Sequence, residues 1–426
     1  MAADLPTGSA ARRALIWSPS LLGHRLVYCR VIAGVLAELG CEVSVAAGLS
    51  GLGEDDRTRL ELLRDGPVSE VVDVDSDLRA RGPSLVPMRE LATMLGAEVA
   101  VLTEADDALA EVAAWDAEGG LPTRLLALFI RSTNHQYARG SSGSTARRVL
   151  RRLRGTGGSR DEELQRRLAA ALPSGVVPLV LDELYAAAHP ATHRWLPDIY
   201  RDPDAEVGGS QEAREWADRV ASFVAARDRP VFVYVGTNQH RRGYDTLLRL
   251  ALEEDGCVAH CGRFELDGEP SDGDVEAMRA TLTREGRLLE TAGPYLDPAT
   301  ADVFLRAARC VVLPYRGHDG SSGVMLQALA AGRPVLVPDR GLMSCRVRGF
   351  GLGAAYADGD EGDLRRRFRE LQHRGPEPFA AGLSTFMSYF ERPQLVAALT
   401  SALTGEGEGA RLPRPPAGAV APPGRA

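Results

Sequence analysis

Two clusters in the second half of the chain carry residue types suited to holding phosphate. One is Arg241-Arg242, in the loop from Gly236 and Thr237 to Gly243 that follows the apolar run Pro230 to Val235. The other is Asp319-Gly320-Ser321-Ser322-Gly323, set between Val311-Val312-Leu313 and a helical pattern of Val324, Leu326, Leu329 and Ala330. A guanidinium presents paired N–H donors that match phosphate oxygens, where an ammonium acts as a point charge. A glycine-containing loop that opens a helix offers backbone N–H groups with no intrahelical partner, at the positive end of the dipole. Such a loop is an anion site suited to a phosphate or diphosphate. The simpler reading of the second cluster is an ordinary capped helix, with Ser321 or Ser322 as N-cap.

Positioning such loops needs strands and helices of a particular grammar. Gly332 stands past the helix in the C′ role, and Pro334 to Val337 reads as the following strand, so the region is a βαβ unit. Pro230 to Val235 and Cys257 to Gly262 read as further strands, Leu288 to Leu296 holds a loop with Gly293 and Tyr295, and Asp302 to Ala308 reads as a helix. Gly349, Gly351 and Gly353 mark turns, and Ser384 to Phe390 and Leu395 to Leu403 read as closing helices. The first half opens the same way. Ala14 to Trp17 is a short buried strand, with a loose tail before it. A loop with Gly23, His24 and Arg25 follows, then a helix with Val27, Val31, Val35 and Leu39, and the strand Cys41 to Ala47. Ser69 to Asp75, Ala97 to Thr103, Leu125 to Ile130 and Val176 to Leu181 are further strands. The fifth of these six strands ends on Arg131-Ser132-Thr133-Asn134-His135. This is an α/β, doubly wound chain, whose ligands sit beyond the C-terminal ends of its strands.

The stretch from Asp319 to Val335 resembles the nucleotide-sugar site of retaining glycosyltransferases, family 4 above all. That family reads Glu-Gly-Phe-Gly-x3-Leu-Glu-Ala-Met-Ala-x-Gly-x-Pro-Val. Gly320, Leu326, Ala328, Ala330, Gly332, Pro334 and Val335 match it, while Asp319 and Gln327 replace its two acids. Arg242-Gly243 stands where the family has Lys-Gly, and Thr237 where it often has arginine. The resemblance implies the GT-B fold, two Rossmann-like domains facing across a cleft. It places an acceptor-side domain over 1–203, a nucleotide-sugar domain over 204–385 and closing helices over 386–404, before a disordered tail over 405–426. It implies transfer of a sugar from a nucleotide-sugar donor to an unidentified acceptor: a natural product, polysaccharide or glycolipid.

The residues assigned to chemistry on this basis are His24, Arg131, His135, Arg242 and Asp319. Those assigned to the donor are Gly23, Gly236, Thr237, Arg241, Arg242, Gly293, Tyr295, Asp319 to Gly323, and Gln327. Between Arg131 and His135 the sequence makes no choice. Arginines and helix N-termini do the charge work in such sites, so neither a metal nor a cofactor is expected. Another nucleotide-sugar enzyme on the same fold, an epimerase or pseudo-glycosyltransferase, stays open, as does a binding protein with a decayed site.

Composition narrows the field. A net charge of −8 argues against a nucleic-acid partner. Six cysteines in 426 residues are no disulfide framework, and Cys257-Val258-Ala259-His260-Cys261 reads as a buried strand before it reads as a metal site. Met1 to Arg12 lacks the apolar core of a signal peptide, so a cytoplasmic protein is expected. Segment 139–160 is rich in arginine and low in complexity; a solvated insertion is preferred there over an acceptor-site loop or a weak contact with anionic lipid.

Overall fold

The computed structural model describes residues 12–18, 21, 25–48, 60–61, 63–74, 85–115, 120–131, 172–201, 211–226, 228–237, 240–262, 264, 272–291, 298–405 and 409–414. Backbone contacts divide the chain into two compact units. The boundary falls between Pro203 and Asp204, and Glu391–Leu412 returns to the first unit.

The first unit is built on a parallel sheet of order β3-β2-β1-β4-β5-β6-β7. Its strands are β1 (Arg12–Trp17), β2 (Cys41–Ala47), β3 (Glu70–Asp73), β4 (Val99–Leu102), β5 (Arg124–Phe129), β6 (Val176–Val180) and β7 (Arg194–Trp195). Arg12 belongs to β1 rather than to the loose tail expected over residues 1–12, and Arg13 follows it in the strand. Their backbones pair with Cys41 and Glu42 while their side chains stay in solvent, and Arg13 meets Glu42 at 3.2 Å. Helix α1 (Arg25–Glu38) buries Leu26, Tyr28, Cys29, Val31, Ile32, Ala33, Val35 and Leu36, more than one helical stripe. The reason is a second neighbour. The C-terminal helix α2 (Arg392–Thr404) puts Leu395, Ala398, Leu399, Ala402 and Leu403 into the same core. Tyr28 Oη donates to Asp198 at 2.6 Å and fastens α1 to the segment after β7. That segment also buries Leu196 and Ile199.

The second unit is described by itself, with labels continuing from β8 and α3. Its strands are β8 (Val231–Val235), β9 (Cys257–Cys261), β10 (Leu288–Glu290), β11 (Val311–Val312), β12 (Val335–Pro338) and β13 (Gly353–Tyr356). They form parallel ladders β10-β9-β8 and β11-β12-β13, with β11 lying alongside β8. The resulting order is that of a doubly wound Rossmann-like unit, whose topological switch point falls between β8 and β11. Helices α3 (Gln211–Ala225), α4 (Tyr244–Glu253), α5 (Asp272–Arg284), α6 (Pro298–Ala307), α7 (Gly323–Ala330), α8 (Gly341–Phe350), α9 (Glu361–Arg374) and α10 (Ala380–Met387) complete it. Trp216 of α3 packs on Phe304 of α6 with centroids 5.3 Å apart.

Two stretches differ from the sequence reading. Leu288 to Leu296 opens with β10, whose three residues pair with Val258, Ala259 and His260. Gly349 to Gly353, expected as turns, ends α8 and starts β13. Gly351 is the left-handed C-cap of α8, and Gly353 lies at φ +147° directly against β12. A Cβ on Gly353 would stand 2.0 Å from the Val335 carbonyl oxygen. Gly353→Ala is therefore expected to destabilise the chain by at least about 2 kcal/mol. Denaturant unfolding followed by circular dichroism measures it, with Gly359→Ala, a site with open space around its Cβ position, as the control for loss of a positive-φ glycine alone.

Candidate functional site

The switch point gathers two loops, one after β8 and one after β11. In the first, Gly236 sits at φ +103°, and a Cβ there would lie 2.6 Å from Nη1 of Arg242. The Arg242 side chain therefore folds back over the Gly236 backbone. The Gly236 N–H donates to Cys261 O at 2.8 Å, and its carbonyl meets His260 Nε2 at 3.0 Å. His260 is fully buried; its Nδ1 lies 3.3 Å from Glu290, which Arg279 holds at 2.6 Å. The Cys257–Cys261 stretch is thus a buried strand whose histidine braces the loop. Among the described residues no cluster of three or more metal-ligating side chains occurs.

Arg241 and Arg242 lie on a single 3-10 turn, His240–Arg242, with Arg241 exposed and Arg242 half-buried. Gly243 then starts α4 at φ +69°, so close to the second loop that a Cβ would stand 2.1 Å from Pro314 O. Arg316 closes the junction. Its guanidinium grips Asp245 with two hydrogen bonds of 2.7 Å and reaches His240 O at 2.9 Å and Thr246 Oγ1 at 2.7 Å. Its backbone N–H donates to Arg241 O at 2.8 Å. Thr237 is half-buried, with its carbonyl accepting from Tyr234 Oη at 3.1 Å.

In the second loop, Ser322 is the N-cap of α7, its Oγ accepting from the Met325 N–H at 3.2 Å. The capped-helix reading and the exposed-amide reading describe the same end: Ser322 satisfies one donor there. Asp319 is engaged by Arg340, whose Nε and Nη2 meet its two carboxylate oxygens at 2.8 and 2.9 Å. Arg340 also meets Asp358 at 3.0 Å. The Asp319 carbonyl accepts from Leu342 N at 2.8 Å, and Gly341 approaches so closely that a Cβ would lie 2.5 Å from Asp319 Cα. Ser321 Oγ accepts from Arg346 Nη1 at 2.8 Å, and Ser321 O from His318 Nε2 at 2.9 Å. Gly320 is buried, Gly323 has open space around its Cβ position, and Gln327 is half-buried on α7.

Electrostatics tie the loops together. Burial pushes the His318 imidazole down, and the charges of Arg241 and Arg242 push it down further against its hydrogen bond to Ser321. Because His318 Nε2 faces the Ser321 carbonyl oxygen, that nitrogen carries a proton. The Arg316 N–H on Arg241 O and the contact of Gly243 with Pro314 O set the Arg241-Arg242 turn beside the start of the second loop. Asp319 carries a role the sequence did not show, since both its oxygens already hold a guanidinium. Arg316, Asp245, Arg340, Arg346 and His318 had no motif to mark them. Gly293 and Tyr295 lie outside the described residues, as do Gly23, His24 and His135 of the first unit, segment 139–160 and most of the tail. Arg131 follows β5 in the first unit, where Asp107 holds its Nη2 at 2.9 Å and Asp106 accepts from its backbone N–H at 2.9 Å. Arg25, at the start of α1, pairs with Glu104 at 2.6 Å.

The Arg316–Asp245 pair yields a pH dependence. Burial raises the Asp245 carboxyl, but the Arg316 hydrogen bonds and charge outweigh it and hold the group below its ordinary 3.8. Its stabilisation is present above that ordinary value and is lost as pH falls through the lowered one. Asp245→Asn should therefore lower Tm at pH 7 and make the fall of Tm below about pH 5 shallower than in wild type, measured by calorimetry across pH.

No family model and no curated protein matches the chain. Solved structures do. Sucrose-phosphate synthase from Thermosynechococcus elongatus superposes with TM-score 0.59 at 14% identity, over 92% of this chain and 98% of that one. HepE from Anabaena, in complex with UDP, gives TM-score 0.61 at 11% identity, over 93% and 100%. A Listeria monocytogenes protein assigned as a UDP-N-acetylglucosamine 2-epimerase gives 0.55 at 12%, over 94% and 99%. At such identities the likeness speaks for the fold, and the fold is GT-B: α/β, with two Rossmann-like doubly wound units.

Proposed function

We propose that the chain is a retaining glycosyltransferase of the family 4 type, with Asp319 and Gln327 in place of that family's two acids, which moves a sugar from a nucleotide-sugar donor to an acceptor. One observation carries this reading: the Arg241-Arg242 turn is joined to the head of the Asp319–Gly323 loop, through the Arg316 N–H on Arg241 O and Gly243 packed against Pro314 O, and that loop runs into the start of α7. Guanidiniums and a helix N-terminus on two joined loops are groups suited to binding a diphosphate. HepE has been solved with UDP-glucose, which supports a donor of that class.

Arg241 and Arg242 neutralise the diphosphate as the glycosidic bond breaks and charge develops on the leaving group, so that no metal is needed for that step. Gly320 to Gly323 present backbone N–H groups to the phosphate. Asp319, already steadied by Arg340, uses its remaining lone pairs on sugar hydroxyls, and Gln327 meets the ribose with an uncharged amide. The leaving phosphate takes the acceptor proton, and attack comes on the face from which it departs. The acceptor belongs to the first unit, with His24 and the Arg131–His135 loop as its candidate residues.

A second reading, a nucleotide-sugar epimerase on the same fold, is favoured by two departures from the family pattern: Asp319 and the uncharged Gln327 stand where the family has its two acids. The likeness to the Listeria protein keeps that chemistry in view.

A thermal-shift panel of UDP, GDP, dTDP and ADP tests the donor site. One nucleotide should raise Tm in wild type, by the equivalent of about 2.7 kcal/mol at a hundred times Kd, and lose most of that effect in Arg242→Ala. No shift with any of them would overturn the proposal. With the matching sugar donor, transfer with retained anomeric configuration supports the transferase, and release of a 2-epimer the second reading.

A further inference from the structure

The second unit ends in an open sheet edge. Strand β13 is the last of the ladder β11-β12-β13. In its register with β12, Asp339 N donates to Tyr356 O at 2.7 Å and Val335 N to Leu352 O at 2.9 Å. Parallel pairing alternates along a strand. Ala354 and Tyr356 therefore turn their N–H and C=O groups toward β12, and Gly353 and Ala355 turn theirs outward. Among the described residues nothing pairs with these outward groups. Gly353 and Ala355 are half-buried and carry at most a methyl, so their own side chains do not cover the edge.

A cavity of about 250 Å³ lies against this edge. Arg367, Glu370 and Arg374 border it from one face of α9, and Arg348 borders it from α8. Arg348 also pairs with Asp339, and Arg367 Nη1 meets Glu370 at 3.0 Å. Arg374 is exposed, stands 5.2 Å from the Phe379 ring centroid, and meets no carboxylate among the described residues. Three guanidiniums and one carboxylate thus surround an unpaired stretch of backbone.

These two features choose an occupant together. A small anion would take the guanidiniums and the two N–H groups, but it would leave the Gly353 and Ala355 carbonyls without donors. An extended peptide offers donors and acceptors in alternation and pairs all four main-chain groups. A second copy of β13 would bring its own arginines against these, and like charges on an edge oppose such pairing. A strand that carries carboxylates is attracted instead, because each guanidinium takes a carboxylate in bidentate fashion.

We propose that the β13 edge is a docking site for an extended acidic peptide of a partner protein. The peptide adds to the sheet as a strand on Gly353 and Ala355 and sets its carboxylates against Arg348, Arg367 and Arg374. The proposal goes beyond sugar transfer and does not rest on the donor site.

The test is fluorescence anisotropy on the full chain with a labelled hexapeptide that alternates glutamate and valine. Its controls are the same peptide with lysine for glutamate, the same peptide with every main-chain nitrogen methylated, and inorganic pyrophosphate as competitor. The glutamate peptide should bind wild type, and more weakly as salt rises. Arg374→Glu should weaken it by at least about tenfold, the size of one hydrogen bond to a charged group. Ala355→Pro, which removes an outward N–H at an edge, should weaken it as well. If Ala355→Pro does not fold, the methylated peptide decides the main-chain part, and Arg374→Glu, at an exposed position, decides the charge part. No binding of the glutamate peptide overturns the proposal, as does equal binding of the lysine or methylated peptide. Pyrophosphate that binds as tightly as the peptide makes the cavity a plain anion site and overturns it too. So does a dimer, seen by sedimentation, that Ala355→Pro dissociates, since the edge then belongs to a second copy.

Discussion

The two loops of the second unit depend on the paired hydrogen bonds between Arg316 and Asp245. Asp245 sits in the first turn of α4, directly after the Arg241-Arg242 turn, and Arg316 stands three residues past Leu313, the end of the strand run that launches the Asp319 loop. The same guanidinium takes the His240 carbonyl and the Thr246 hydroxyl, and the Arg316 N–H takes the Arg241 carbonyl. One side chain therefore fixes the spacing between the cations and the helix N-terminus. A bidentate pair sets orientation as well as distance, which a single contact does not. Gly243 completes the junction by sterics, since only a residue without Cβ lets the start of α4 meet the Pro314 carbonyl.

The second loop is held from its other side by α8 and the residue before it. Arg340 grips the Asp319 carboxylate, Gly341 lets the chain pass against the Asp319 backbone, Leu342 N–H caps the Asp319 carbonyl, and Arg346 holds Ser321. Four contacts from one short stretch leave the loop little freedom to reorganise. For an anion site this matters, because donors already aimed at the ligand need no reorganisation when charge develops there. It also alters the chemistry of the loop. The carboxylate that the family resemblance assigns to the sugar is here shared with a guanidinium, so Asp319 serves the loop's shape together with any contact it makes to a ligand.

The two units share an architecture and differ in how their sites are legible. In the first, Arg131 is drawn toward Asp106 and Asp107, and its ion pairs define it more than any exposed reach does. That partnership spans twenty-odd residues and two strand ends, and no local pattern in the sequence points to it. Among the described residues, no helix is long and apolar enough to cross a membrane.

Much of this protein was determined by its sequence alone. Alternating and continuous apolar runs marked ten of the thirteen strands among the described residues, because backbone pairing and burial select β-branched and aliphatic residues wherever a parallel sheet is covered on both faces. The spacing of Gly320, Ser322, Leu326 and Gly332 marked the loop and helix of the candidate site, since a cap, an apolar stripe and a C′ glycine are local requirements. Strand β13 and helix α8 escaped for the converse reason. Their glycines look like turns until β12 lies beside them, and Gly353 is a strand residue only because the Val335 carbonyl leaves no room for a side chain. The partners of the charged residues were decided by tertiary structure alone. Arg316 meets Asp245 across 71 positions, Arg340 meets Asp319 across 21, and Arg346 meets Ser321 across 25. A guanidinium binds whichever carboxylate or hydroxyl the fold brings within reach, and nothing in its sequence neighbours records which one that is.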